Sequence, residues 1–251
     1  MAIRWEKKEH IAYLTLHSSW EGNLIDAATL SQLADACEAI EVDNDVRVVI
    51  LWSAGPDFSL GWDWKQMEEG VLSLPLTHAF DVLADLPRPV VCAVDGRCFS
   101  AGLELALACD VRVCSQGARF AFPEMMWGLV PLGGGIQRLA RAVGRSWATY
   151  LLFTGAEVDA QQALAMGLVS QVAYEGETAL SVAEVLARLI AEKGPIAVRY
   201  AKEAVQKGME MPLGQALGLE ADLTIILQTT ADRAEGVRAF LEKRPPRFTG
   251  S

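Results

Sequence analysis

An α/β fold follows from three features of the chain. Short segments of strand character alternate with segments of helical character over the first two thirds. Strand signals stop near residue 175, and amphipathic helical patterning fills the remainder. The 251 residues are enough to bury roughly three quarters of the unfolded surface, so one core forms without disulfide or metal staples.

The opening stretch MAIRWEKKEHIAYLTLH alternates as a strand does and lacks a basic segment followed by an apolar one, so no secretory leader is expected. Asp26 predicts the N-cap of a helix whose apolar positions Leu30, Leu33, Cys37 and Ile40 recur at spacings of three and four and should pack on a sheet. VRVVILW at 46–52 reads as a buried strand and is far too short to cross a bilayer. PVVCAVDG at 89–96, VRVCS at 111–115 and RFAFP at 119–123 are further strands. A helix follows carrying Val182, Val185, Leu186, Leu189 and Ile190, then three more at 195–209, 212–228 and 230–242. The last two hold more apolar side chains than a small helical appendage buries alone, among them Leu213, Leu217, Ile225, Ile226, Phe240 and Leu241, so self-association is expected. The composition shift near 175–190 is the nearest thing to a boundary; it divides the chain into a core, 1–190, and a helical region, 191–251.

Thirty-two acidic against 22 basic residues give a net charge of −10, which argues against a nucleic-acid partner. A few local cations can still hold a phosphorylated small ligand. The five cysteines are odd in number and show no C-x-x-C spacing, so they read as reduced core residues. His10, His17 and His78 are dispersed without ligand spacing, and no metal is expected. With no membrane span, a cytoplasmic protein is expected.

Chemistry is concentrated in three segments. In RCFSAGLELALACD, 97–110, a loop of small residues opens a helix near Ala101, and Glu104 interrupts an otherwise apolar run. N–H groups at a helix N-terminus lack intrahelical acceptors and can hold a developing oxyanion. A surface Glu104 that merely favours the helix dipole is the plainer alternative. In RFAFPEMMWGLVPLGGGIQRL, 119–139, Glu124 follows Pro123 at a strand end among Phe120, Phe122, Met125, Met126 and Trp127. Apolar surroundings raise a carboxyl pKa and fit it for acid or base work near neutrality. The glycine run at 133–135 permits a tight turn but has the spacing of neither common phosphate-binding loop. In SAGPDFSLGWDWKQMEEG, 53–70, a strand ends in a small-residue turn and a helix starts at about Asp63. Gly61 lets the N–H of Trp62 point into a cleft; otherwise this is a surface turn with Trp62 as a core plug.

Together with Leu152-Phe-Thr-Gly155, Ala163-Leu-Ala-Met-Gly-Leu-Val169 and Phe240-Leu-Glu-Lys-Arg244, these segments resemble, in order and over nearly the whole chain, the crotonase family, the enoyl-CoA hydratase/isomerase superfamily. The resemblance implies a spiral of β/β/α repeats over 1–190. It also implies a C-terminal trimerisation region, 191–251, giving a homotrimer or homohexamer, and an acyl-CoA thioester substrate with no cofactor beyond the coenzyme A that the substrate carries. Two backbone N–H groups polarise the thioester carbonyl in that family, and the matching positions are Trp62 and Ala101. A tryptophan stands at 62 in place of the usual small residue, so the acyl pocket is expected to be reshaped or narrowed. Ser100-Ala101-Gly102 stands where the family has Gly-Gly-Gly. Leu24, Leu60, Lys65 and Lys243 are the implied coenzyme A positions, Lys243 reaching the phosphates from a neighbouring subunit.

Hydratases of the family carry glutamates at the positions of Glu104 and Glu124, whereas isomerases commonly keep only the second. The resemblance therefore implies an enoyl-CoA hydratase in which Glu104 activates water, Glu124 exchanges the α-carbon proton, and the Trp62 and Ala101 N–H groups bind the oxyanion. Alternatives are a dehydratase similar to the carnitinyl-CoA branch, an enoyl-CoA isomerase, and, from a different class, a non-catalytic acyl-CoA-binding paralogue.

Overall fold

A computed structural model describes residues 3–17, 22–65 and 78–251. The main sheet has six strands: β1 (Ile3–Lys8), β2 (Ile11–Leu16), β3 (Val48–Ser53), β4 (Val90–Val94), β6 (Val111–Cys114) and β9 (Gln171–Val172). They lie side by side in that order, β1 antiparallel to β2 and the rest parallel. A second sheet sets β7 (Arg119–Ala121) between β5 (Arg97–Phe99) and β8 (Val158–Asp159).

Parallel strands need cover on both faces, and period-two alternation supplies apolar residues to each. Leu14, Leu16, Val49, Leu51, Cys92 and Val94 face a core closed by the helices α1 (Ala27–Val42), α2 (His78–Asp85) and α3 (Ala101–Ala108). Tyr13, Val48, Ile50, Val91, Ala93 and Val113 face Ala179, Val182, Ala183 and Ala187 of α6 (Ala179–Ala191). The Asp26 cap forms as the sequence predicts, its carboxylate accepting from the Thr29 N–H at 2.7 Å. Leu30, Leu33, Cys37 and Ile40 are all buried.

Beyond the two sheets run α4 (Gly135–Thr154), α5 (Ala160–Ala165), α7 (Pro195–Gly208), α8 (Leu213–Leu227) and α9 (Ala231–Glu242). The strands and helices that the sequence predicts fall within a few residues of their expected bounds, whereas β5, β8, β9, α2 and α5, each eight residues or shorter, lie outside those expectations. The expected helix from Asp63 has its first turn at residues 64 and 65, and its continuation lies outside the described residues. Glu124 differs from expectation: it sits not at a strand end but in a 3₁₀ helix, Pro123–Trp127, started by the preset φ of Pro123 and stopped by Gly128 at φ 69°. Among the described residues no helix is long and apolar enough to cross a membrane.

Candidate active site

Every residue of α3 is buried, Glu104 included, so the surface-dipole alternative for this carboxylate does not hold. Its partners come from the glycine run. Gly133 and Gly135 donate their N–H groups to Glu104 Oε1 at 2.6 and 2.9 Å, while Oε2 has no partner among the described residues. Burial pushes the Glu104 carboxyl up to about 7; the Gly135 N–H opposes the shift and the nearby Glu124 adds to it. One oxygen is thus anchored and the other is left for a ligand.

Glu124 is 1% exposed, and neither of its oxygens has a hydrogen-bond partner among the described residues. Burial raises its pKa as well, opposed first by the neighbouring Ser100 hydroxyl. That hydroxyl lies near the carboxyl but does not meet the geometry of a hydrogen bond, and Ser100 Oγ is itself unpartnered. Of the five buried side-chain polar atoms without a partner among the described residues, four belong to Ser100, Glu104 and Glu124. Buried polar atoms are normally satisfied, so such a concentration marks a place for water or substrate.

The glycine turn is held in place by α2. Arg138 donates to the Gly133 carbonyl at 2.6 Å and to Asp81 Oδ1 at 2.7 Å, and its own N–H donates to the Gly134 carbonyl at 3.0 Å. Phe80, beside Asp81, packs its ring against Gly133, where an added Cβ would come within 2.6 Å of it. Sequence reasoning missed Phe80, Asp81 and Arg138; the aromatic–acid pair on α2 carries no local signal that it faces a turn more than fifty residues away.

Two turns position the Trp62 and Ala101 N–H groups. Ile25 and Trp62 form an isolated parallel bridge, with the Ile25 N–H donating to Gly61 O at 2.8 Å and the Asp63 N–H to Ile25 O at 2.9 Å. In a parallel bridge of this kind the N–H of the middle residue, Trp62, points to the other side. The Gly61 segment lies against Phe99 and Ser100, so closely that a Cβ at Gly61, φ 105°, would stand 2.4 Å from Ser100 Cβ. Ser59 bridges Cys98 in register, which joins the two turns. Ala101 is the first residue of α3, and its N–H has no intrahelical acceptor. Ser100 precedes it at φ 52°, ψ −125°, with its N–H donating to Ala121 O and its carbonyl accepting from Glu104 N–H. For a residue with a Cβ that conformation costs on the order of 1–3 kcal/mol.

The indole of Trp62 belongs to the core: it is 1% exposed and edge-on to Phe80 at 5.9 Å. Its packing role, rather than a pocket wall, is what this environment describes. Leu60 approaches the turn at Gly22 through a 2.7 Å backbone hydrogen bond, Leu24 is half-buried beside it, and Lys65 is exposed. Lys243 is exposed at the C-cap of α9, φ 54°, and takes no part in the contacts that join the other residues. The structure therefore brings together Trp62, Ala101, Glu104 and Glu124, with Leu24, Leu60 and Lys65 on the adjoining segments.

Comparison with known proteins shows the family to which the chain belongs. The family described as enoyl-CoA hydratase/isomerase matches residues 6–251. The chain is 38% identical to the mitochondrial methylglutaconyl-CoA hydratase of Mus musculus, over 98% of this chain and 81% of that protein. It is 36% identical to the 2,3-dehydroadipyl-CoA hydratase of Escherichia coli, over 97% of each. Among solved structures, an enoyl-CoA hydratase from Bacillus anthracis superposes with a TM-score of 0.95 at 33% identity over the whole of both chains. With a family model matched over residues 6–251 and relatives of 36–38% identity over nearly the whole sequence, this chain belongs to the enoyl-CoA hydratase/isomerase family.

Proposed function

We propose that the protein adds water reversibly across the double bond of a trans-2-enoyl-CoA thioester, with Glu104 as its base and Glu124 as its acid. The supporting observation is the pair of fully buried carboxyls with three oxygens between them that have no partner among the described residues. Water bound to these oxygens gives a proton to Glu104 as its oxygen attacks the β-carbon, and Glu124 delivers a proton to the α-carbon. The N–H groups of Trp62 and Ala101 take the enolate-like charge on the thioester oxygen; losing one such donor in an enzyme costs about 2.7–4 kcal/mol. Hydration leaves Glu104 protonated and Glu124 ionised, so the pair resets by moving one proton between them.

The test is turnover of a thioester panel, crotonyl-, crotonobetainyl-, methylglutaconyl- and 2,3-dehydroadipyl-CoA, followed by loss of the conjugated enoyl absorbance. Hydration of at least one is expected; tight binding of all with turnover of none would support the non-catalytic alternative.

Leu24, Leu60, Lys65 and Lys243 are proposed as coenzyme A contacts, Lys243 from a neighbouring subunit. Lys243→Ala is expected to raise KM more than it changes kcat, and an unaltered KM at low salt would remove the assignment. Self-association has support of its own. The helix α8 buries only Leu223 while Leu213, Leu217, Ile225 and Ile226 are 74%, 55%, 65% and 47% exposed, and Phe240 on α9 is 82% exposed. Apolar exposure on that scale marks an interface. Sedimentation should show a trimer or hexamer that Ile225→Glu with Phe240→Glu dissociates; a monomeric wild type at micromolar concentration would overturn this.

A further inference from the structure

Ser100 combines three properties that the proposed reaction leaves unused. It is 1% exposed, its Oγ has no hydrogen-bond partner among the described residues, and it holds a left-handed φ of 52° that glycine would adopt without strain. Its backbone is pinned at both ends, by Ala121 O and by the Glu104 N–H, so the strain cannot relax by moving the turn. A side chain kept at such a position needs a use for its hydroxyl, and the groups that share its surroundings unsatisfied are the Glu104 and Glu124 carboxyls.

The two glutamates are held unequally. Among the described residues, Glu104 has one oxygen fixed by two N–H groups and the other without a partner, whereas neither oxygen of Glu124 is fixed. The geometry points to Ser100 as a positioning residue for the hydration, its hydroxyl turning to donate to one oxygen of Glu124 so that the other is presented to the α-carbon. Gly133 and Gly135 do the same for Glu104. A hydroxyl donor serves both protonation states of Glu124, because one oxygen remains an acceptor in each. The Ser100 hydroxyl also opposes the upward push that burial gives the Glu124 carboxyl. Other charge facing Glu124 comes from Glu104 on α3; on α4, which packs against the 3₁₀ helix, Arg138 is paired with Gly133 O and Asp81, and Arg141 with Glu210.

This inference rests on the hydratase reading, and its test separates the two. Ser100→Gly removes hydroxyl and strain together; Ser100→Ala removes the hydroxyl and keeps the strain. Both variants are expected to lose roughly 10- to 100-fold in kcat, the size of one hydrogen bond to a charged group, with KM within about threefold. The limb of the pH profile that reports Glu124 should move to higher pH in both. Exchange of the α-protons of a saturated acyl-CoA into heavy water, a reaction of Glu124 that needs no water addition, should slow in parallel. The melting temperature should rise in Ser100→Gly and not in Ser100→Ala. Ser100→Gly with wild-type kcat and an unmoved pH profile, or with a lowered melting temperature, would overturn the inference. A wild type that neither hydrates nor exchanges any thioester would instead overturn the hydratase reading.

Discussion

Glu104→Gln is expected to lose roughly 10²- to 10⁴-fold in hydration rate while becoming more stable than the wild type above neutral pH. The amide keeps the size of the side chain and an oxygen for the Gly133 and Gly135 N–H groups, but it accepts no proton from water. The stability gain comes from the same burial that tunes the base. In the folded protein the Glu104 carboxyl titrates at about 7 against an ordinary 4.5, so between those values the folded state holds a proton that the unfolded chain has released. Stability must fall as pH rises through that window, and above pH 7 the full cost is carried, about 3 kcal/mol. Glutamine does not titrate. Melting temperatures of the two proteins should therefore converge near pH 4 and separate in favour of the variant by pH 8, while the acid limb of wild-type kcat/KM should lie near neutrality. Parallel melting curves from pH 5 to 8, or hydration within a few-fold of wild type, would contradict the assignment.

Trp62→Ala should be the most destabilising single change at the site, by roughly 3–5 kcal/mol, because a fully buried indole leaves a cavity that its neighbours fill only in part. In a domain of this size such a loss lowers the melting temperature by on the order of 10 °C. The backbone N–H at position 62 is unaffected, so the proposed oxyanion donor survives. What suffers is its support: Phe80 rests edge-on against Trp62 and also packs against Gly133, one of the two residues that hold Glu104. A modest fall in kcat with no change in acyl-chain preference is expected, and Trp62→Phe should recover part of the stability. Unfolding midpoints measured together with relative turnover across an enoyl-CoA series decide the matter. A stable variant that favours bulkier chains would place the indole on the substrate side instead.

Local patterns carried most of the architecture. The apolar runs of β2 and β3, the Asp26 cap and the spacing of Leu30, Leu33, Cys37 and Ile40 are each settled within a few residues of chain, and these strands and this helix form close to where the signals lie. The two glutamates were legible because each is a charge in apolar company. The contacts that make them different were not: Gly133 and Gly135 meet Glu104 from about thirty residues away, and Arg138 meets Asp81 across 57. Such pairings depend on how the spiral closes, which no window of sequence encodes. Trp62 shows the opposite limit, since one sequence fits both a pocket wall and a core plug, and only the position of Phe80 distinguishes them.

The two turns around Trp62 and Ala101, whose N–H groups are the proposed oxyanion donors, interlock. Gly61 has no room for a Cβ because of Ser100, and Gly102 has none because of Ser59, where an added Cβ would lie 2.4 and 2.6 Å from the opposing Cβ atoms. Substitution in this region is thereby partitioned. Residues 62 and 101 are proposed to act through their peptide groups, so a side-chain change there acts on packing, both side chains being buried, and leaves the N–H itself in place. Gly61 and Gly102 instead form one epistatic unit with Ser59 and Ser100: enlarging any of the four wedges both turns apart at once, and a second change is tolerated only if it makes room on the opposite turn. An evolutionary path to a new acyl specificity runs through the side chains around this clasp, not through the clasp itself.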